Sequence, residues 1–257
     1  MAIREKVLGP DHPDTATSLN NLGALLESQG DLAGAKPYFE RALAILEKVL
    51  GPDHPDTATS LNNLGYLLRA QGDFAGAKPY YERALAINEK VLGPDHPDTA
   101  TSLNNLGGLL RVQGDLAGAK PYYERALAIN EKVLGPDHPD TAISLNNLGY
   151  LLQAQGDLAG AKPYVERALA ILEKVLGPDH PDTAKSLNNL GLLFADRGNF
   201  LRAKPLLERA LGIQERKLGM RHPDTRLVAS SLVAVLNKRG FAKQAKDLVK
   251  RYGLDKS

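Results

Sequence analysis

HPDTATSLNNLGALLESQGDLAGAKPYFERALAILEKVLGPD, residues 12–53, governs the reading of the chain, because it returns with few changes from His54, His96, His138 and His180. The period is 42 residues, with no insertions. Self-similarity at a fixed spacing of this size means one supersecondary unit stacked on copies of itself, each contacting mainly its neighbours. Such a sequence is informative about architecture and about a repeated surface. No position in it has the look of a reacting group.

Each unit reads as two helices. Pro13 suits a first helical position, where its missing N–H costs nothing, and Asp14 adds a negative charge in the first turn. Leu19, Leu22, Gly23 and Leu26 recur at i, i+3, i+4 and i+7, one buried stripe, which predicts a first helix to about Gln29. Gly23 lets another helix approach its backbone. Gly30 is placed to end that helix in a left-handed conformation, and Asp31 to accept from the open N–H groups of the next. The second helix is expected from Leu32 to about Leu50, with Ala35, Phe39, Ala42, Leu43, Ile45, Leu46 and Val49 apolar. Pro37, which recurs as Pro79, Pro121, Pro163 and Pro205, predicts a bend early in it.

Working outward, residues 1–9 match the end of a second helix, residues 10–218 hold five repeats, and residues 219–257 form a degenerate sixth. That sixth unit has Ser230 and Ser231 in place of the Asn20 and Asn21 pair, and it reads as a polar C-terminal cap. With only a helix tail before it, the stripe of Leu19 and Leu22 should be less well covered than its later copies, and end-to-end self-association is expected there.

Composition narrows the function. Net charge is +2, from 32 basic and 30 acidic side chains mixed along the chain, so no global field steers it to nucleic acid or membrane. The chain has no cysteine, which removes disulfides and thiolate metal sites and allows a reducing compartment, so the expected location is cytoplasmic. No apolar run approaches a membrane span. Asp11, His12 and Asp14 invite a metal or acid–base reading. They precede a helix, however, and copies one repeat apart, roughly 10 Å for a helix diameter, cannot share a zinc. No nucleophile with its base, phosphate loop or HExxH is present. The expectation is a non-enzyme without cofactors.

Leu19, Leu22, Gly23, Leu26, Ala35, Phe39 and Ala42 stand at the positions of the tetratricopeptide repeat pattern, which the chain resembles over essentially its whole length. The longer period, the HPDTATSLNNLG opening and AKPYYERALAI look more specifically like the repeats of kinesin light chains, nephrocystin-like proteins and many bacterial multidomain proteins. The uniform copies also fit a recently duplicated bacterial array or a consensus design. The resemblance implies an all-α, right-handed superhelical solenoid of antiparallel helix pairs. It further implies a scaffold that docks a peptide or protein segment in the concave groove of its first helices. A structural or self-associating array is the alternative.

With the leucine stripe buried, helical periodicity turns Thr17, Asn20, Ala24, Glu27 and Ser28 to another side, close to Asn21. The resemblance makes that side the groove. Asn20, Asn62, Asn104, Asn146 and Asn188 then present one amide per repeat, suited to the main chain of an extended peptide. The adjoining Asn21, Asn63, Asn105, Asn147 and Asn189 could bind peptide too or tie repeats together. Variation lies at Ala24, Tyr66, Gly108, Tyr150 and Leu192, and at Glu27, Arg69, Arg111, Gln153 and Ala195. Tyr66 and Tyr150 supply flat amphipathic surface, Arg69 and Arg111 supply guanidinium forks, and Gly108 leaves room between the tyrosines. An aromatic residue flanked by acidic ones suits this surface, and the light-chain likeness favours the same ligand. Nucleic acid would require a repeated basic row, which the series lacks.

Overall fold

The computed structural model describes residues 6–256, and among these it contains helices and turns but no strand. Of the expected helix tail at the start, residues 1–5 lie outside the described residues, and residues 6–8 are helical. The chain divides into two compact units, Met1–Val133 and Leu134–Ser257. The first holds three helix pairs: α1 Pro13–Ser28 with α2 Leu32–Val49, α3 Pro55–Ala70 with α4 Phe74–Val91, and α5 Pro97–Val112 with α6 Leu116–Val133. In the second, α7 Pro139–Ala154 pairs with α8 Leu158–Val175, α9 Pro181–Asp196 with α10 Phe200–Leu218, and α11 Pro223–Lys238 with α12 Ala242–Tyr252. A short 3₁₀ turn, Leu254–Lys256, follows.

The boundaries follow from local chemistry. Each first helix starts on a proline with a histidine before it, and the His12 Nδ1 accepts the Asp14 N–H at 3.1 Å, a cap repeated at His54, His96, His138, His180 and His222. The segment is therefore a helix cap, as its place in the loop before a helix leads one to expect. Asp11, the other candidate of the metal or acid–base reading, is paired with Lys48 at 2.5 Å. Among the described residues no three His, Cys, Asp or Glu side chains gather as a metal would require. At the other end of α1, Gly30 has φ +85°, its N–H reaches the Glu27 carbonyl, and the Asp31 N–H reaches the Leu26 carbonyl, so two open carbonyls are satisfied. Asp31 then caps α2 through the Gly34 N–H at 2.8 Å. Helix α2 continues unbroken through Pro37. Replacing His96 with Ala is expected to lower stability by about 0.5–2 kcal/mol, the usual value of a cap, and to leave ligand affinity unchanged. Urea unfolding alongside a binding titration checks both halves.

Packing within the first five pairs depends on a glycine facing an aromatic or branched residue, whereas the sixth pair has Val233 at that register. A Cβ on Gly65 would stand 2.8 Å from Cε1 of Tyr81, and one on Gly23 the same distance from Phe39, so only glycine lets the paired helices approach this closely. Around this contact the first unit buries Leu61, Leu64, Leu67, Ala77, Ala84 and Ile87, and the second unit Leu187, Leu193, Leu207, Ile213 and Leu232. First helices of successive pairs also touch, α1 with α3 and α3 with α5 in the first unit, α7 with α9 and α9 with α11 in the second. This neighbouring arrangement gives each unit a continuous first-helix face. No helix among the described residues is long and apolar enough to cross a membrane.

Candidate functional site

On the first-helix face of the first unit, a cavity of about 280 Å³ opens between α3 and α5. Thr59, Asn62, Asn63 and Tyr66 of α3 line one side, Thr101 and Asn105 of α5 the other, with Asn88 and Asp98 completing it. Four residues singled out by periodicity, Asn62, Asn63, Tyr66 and Asn105, are thus brought together. Asn88 was not among them. It lies on the apolar stripe of the second helix, where Leu46 and Leu172 occupy the same register, and is 2% exposed. Its Nδ2 donates to the Asp98 carbonyl and to the Ser102 hydroxyl, both at 3.1 Å, while its Oδ1 has no hydrogen-bond partner. A polar residue interrupting a leucine register was the available signal for it.

The two asparagine rows differ from the expectation in one respect. The first row is engaged between repeats: Asn20 donates to the Ser60 hydroxyl at 2.9 Å, Asn62 to that of Ser102 at 3.0 Å, and in the second unit Ser186 donates to Asn146 at 3.2 Å. Asn62 is consequently 9% exposed and Asn188 5%. Repeat-to-repeat ties, considered in the sequence for the second row, are thus made by the first row as well. The physical reason is that a serine one helical turn from its own repeat's start reaches the amide of the repeat before. The second row takes part too, with Asn105 Nδ2 donating to Asn62 Oδ1 at 3.3 Å. Asn63 and Asn105 are half-buried at the cavity wall, Asn104 is half-buried on α5, and Asn147 is half-buried on α7.

Next to the cavity the variable positions form a second cluster. The Arg69 guanidinium lies 4.9 Å from the centre of the Tyr66 ring, which is 42% exposed. Gly108 does not merely separate tyrosines, as expected from the sequence. A Cβ there would fall 2.8 Å from Arg69 Nη1 and 3.5 Å from the Tyr123 hydroxyl, so the glycine gives Arg69 its place on the next repeat. Arg111 hydrogen bonds to the Tyr123 hydroxyl; burial pushes that phenol up, against the pull of Arg111 and of Arg69. In the equivalent place one repeat earlier, Tyr81 is wholly buried, its hydroxyl has no partner, and burial pushes its pKa up to about 12. Tyr150, 37% exposed, belongs to the second unit, where Gln153 donates to Asp196 at 2.6 Å.

Comparison with known proteins agrees with the helix-pair fold. Solved structures that match include a Podosopora anserina protein assigned to the kinesin light chains and built of nearly identical TPR-like repeats. It is 28% identical, with a TM-score of 0.60, and the match covers 80% of this chain and 98% of that one. BtubC (BKLC) of P. vanneervenii matches at 24% identity and a TM-score of 0.64, with 90% of each chain covered. A Rap protein complexed with competence and sporulation factor matches at 17% identity and a TM-score of 0.68, over 92% of this chain and 68% of that one. The last two likenesses concern the fold alone. No curated protein sequence matches. The family model described as tetratricopeptide repeat matches residues 1–48, 22–90, 62–132, 98–174 and 144–216. These overlapping matches fall on the helix pairs described above, and the chain belongs to the tetratricopeptide repeat family.

Proposed function

We propose that this protein is a non-enzymatic scaffold that holds an extended peptide or protein segment on the first-helix face of its first unit. The supporting observation is the cavity between α3 and α5, where amides from both helices converge beside a buried carbonyl oxygen, Asn88 Oδ1, that lacks a donor. An unpaired buried acceptor is unfavourable by roughly 1–3 kcal/mol, and a peptide N–H entering the cavity relieves it. Asn63 and Asn105 offer further amide groups to the main chain, with no demand on particular side chains. Selection then falls to Tyr66, Arg69 and Arg111, which favour an acidic segment carrying an aromatic residue. Asn147 and Tyr150 offer the same kinds of group on α7 of the second unit. Two arginines without counterparts at Glu27, Gln153 and Ala195 make no basic row, so nucleic acid is not the proposed partner.

Asn88→Leu is the cleanest test. Leu46 and Leu172 already fill that register, so the variant is expected to fold with equal or higher stability. Its affinity for unrelated extended peptides should fall by a common factor, about tenfold at most for one net hydrogen bond of about 1 kcal/mol. Fluorescence anisotropy with a peptide panel reads it. Unchanged affinity for every bound peptide would place the ligand elsewhere.

A second reading, self-association, is favoured by one feature. Leu25 is 53% exposed, whereas Leu67 and Leu109 at the same register are fully buried. If this face docks onto another copy, the mass measured by light scattering rises with concentration and Leu25→Lys abolishes the rise. A constant mass across a wide concentration range rules out this reading.

A further inference from the structure

Beside the α3/α5 cavity the first unit leaves open a place that the second unit fills from its own chain. Thr59 of α3 stands at the register that Lys185 takes in α9, and Asp56 and Asp98 stand at the registers of Asp182 and Asp224. In the second unit the Lys185 ammonium lies 3.4 Å from Asp182 Oδ1 and 3.4 Å from Asp224 Oδ2, so one cation bridges the starts of α9 and α11. Burial lowers the pKa of that lysine, but the Asp224 and Asp182 carboxylates outweigh it and hold the pKa above the usual lysine value. In the first unit the Thr59 hydroxyl donates back to the Pro55 carbonyl at 3.2 Å. Among the described residues the carboxylates of Asp56 and Asp98 each face only the histidine that caps their own helix, at 3.7 Å.

Two exposed carboxylates would not by themselves make a site. What sets this place apart is the cavity that Thr59 and Asp98 line, whose polar wall is short of donors. Asn88, 2% exposed, commits its Nδ2 to the Asp98 carbonyl and the Ser102 hydroxyl and leaves Oδ1 without a donor. The Thr101 hydroxyl likewise donates to its own helix, to the Pro97 carbonyl at 3.2 Å. A donor-rich cation is the complement of such a wall.

We propose that this place is a site for a lysine ammonium of the bound segment, held between Asp56 and Asp98 as Lys185 is held in the second unit. This rests on the first-helix-face reading above and specifies its ligand. An ammonium has three protons, enough for both carboxylates and one acceptor of the cavity wall, whereas a main-chain N–H has one. From Thr59 to Arg69 helix α3 rises about 15 Å, with Tyr66 between them. The lysine therefore belongs at the opposite end of the segment from its acidic residues, about four to five residues of extended chain away, with the aromatic residue between.

The probes are six-residue peptides with a central tyrosine, two glutamates at one end and either lysine or Nε-acetyl-lysine at the other, made in both chain directions. Against the whole chain at low ionic strength, the lysine form is expected to bind about five- to tenfold tighter than its acetylated partner, as two partly exposed ion pairs allow. The gap should narrow at 1 M salt. Thr59→Lys, which copies Lys185, should close the gap with unchanged circular dichroism, because a built-in ammonium then occupies the place; Asp98→Asn should close it too. Equal affinities in the unaltered chain, or a gap that both variants leave intact, overturns the proposal. n-Butylammonium probes the place without a peptide: it should shift the side-chain carboxyl NMR signals of Asp56 and Asp98 in the unaltered chain and neither signal in Thr59→Lys. If peptides bind and respond to Asn88→Leu, yet show no preference for lysine and n-butylammonium moves neither signal, only the lysine assignment fails. If n-butylammonium behaves as expected and no peptide binds, only the peptide reading fails.

Discussion

Tyr81→Ala is expected to destabilise the first unit by about 3–5 kcal/mol, the range for removing a large buried aromatic side chain from a core. The ring is fully buried among Leu61, Leu64, Ala77 and Ala84 and sits against the backbone of Gly65. Gly65→Val introduces atoms where Cε1 of Tyr81 stands only 2.8 Å away, and overpacking of this kind costs typically about 1–3 kcal/mol. Combined, the two changes should cost less than their separate effects imply, because the valine occupies part of the space the ring vacates. Tyr81→Phe behaves in the opposite sense. It removes a buried hydroxyl that has no partner, and Phe39 already fills the same register, so a gain of about 1 kcal/mol is expected. The tyrosine's raised pKa adds a pH signature. Between its ordinary value near 10 and about 12 the unfolded chain loses the phenolic proton while the folded chain keeps it, so stability falls as pH rises through that window. Denaturant unfolding of both proteins at several alkaline pH values should show a smaller loss for Tyr81→Phe.

Most of the fold is legible in one repeat. Pro13, Gly30 and Asp31 mark helix ends through backbone chemistry that is local, and Gly23 opposite Phe39 marks a close approach that the stripe itself requires. The site is less legible because it depends on which side chain reaches over from the next repeat. Periodicity correctly turns Asn20 and Asn62 away from the leucine stripe, but a rotation angle says nothing of Ser60 and Ser102, whose hydroxyls take up those amides. Gly108 illustrates the same limit. Its sequence position announces missing volume, while the occupant of that volume, the Arg69 guanidinium, comes from the preceding pair. Asn88 had a visible signal, a polar residue in a leucine register, although its open acceptor becomes apparent only once Asp98 and Ser102 are seen to take both of its donors.

Reversing Arg69 and Arg111 to Glu is expected to have the largest effect on binding, and a selective one. A hydrogen bond to a charged group contributes about 1.5–3 kcal/mol, so losing two from an acidic segment weakens it by two to three orders of magnitude or more, with added repulsion from the new carboxylates. Neutral peptides held through Asn63, Asn88 and Asn105 should change little, because those amides lie on the cavity wall and keep their geometry. Salt separates the contributions further: raising ionic strength shortens the screening length to a few ångströms at 1 M, which reduces the charge-dependent loss while scarcely touching the amide contacts. The arginine and asparagine positions share one surface, so their effects need not add. Anisotropy titrations with matched acidic, neutral and basic peptides at two salt concentrations are sufficient. If acidic and neutral peptides lose affinity equally, the reversal has disturbed the face as a whole and Arg69 and Arg111 do not select the ligand. If neither loses affinity, the bound segment does not cross α3 and α5, and the amides of Asn63 and Asn105 face solvent for another reason.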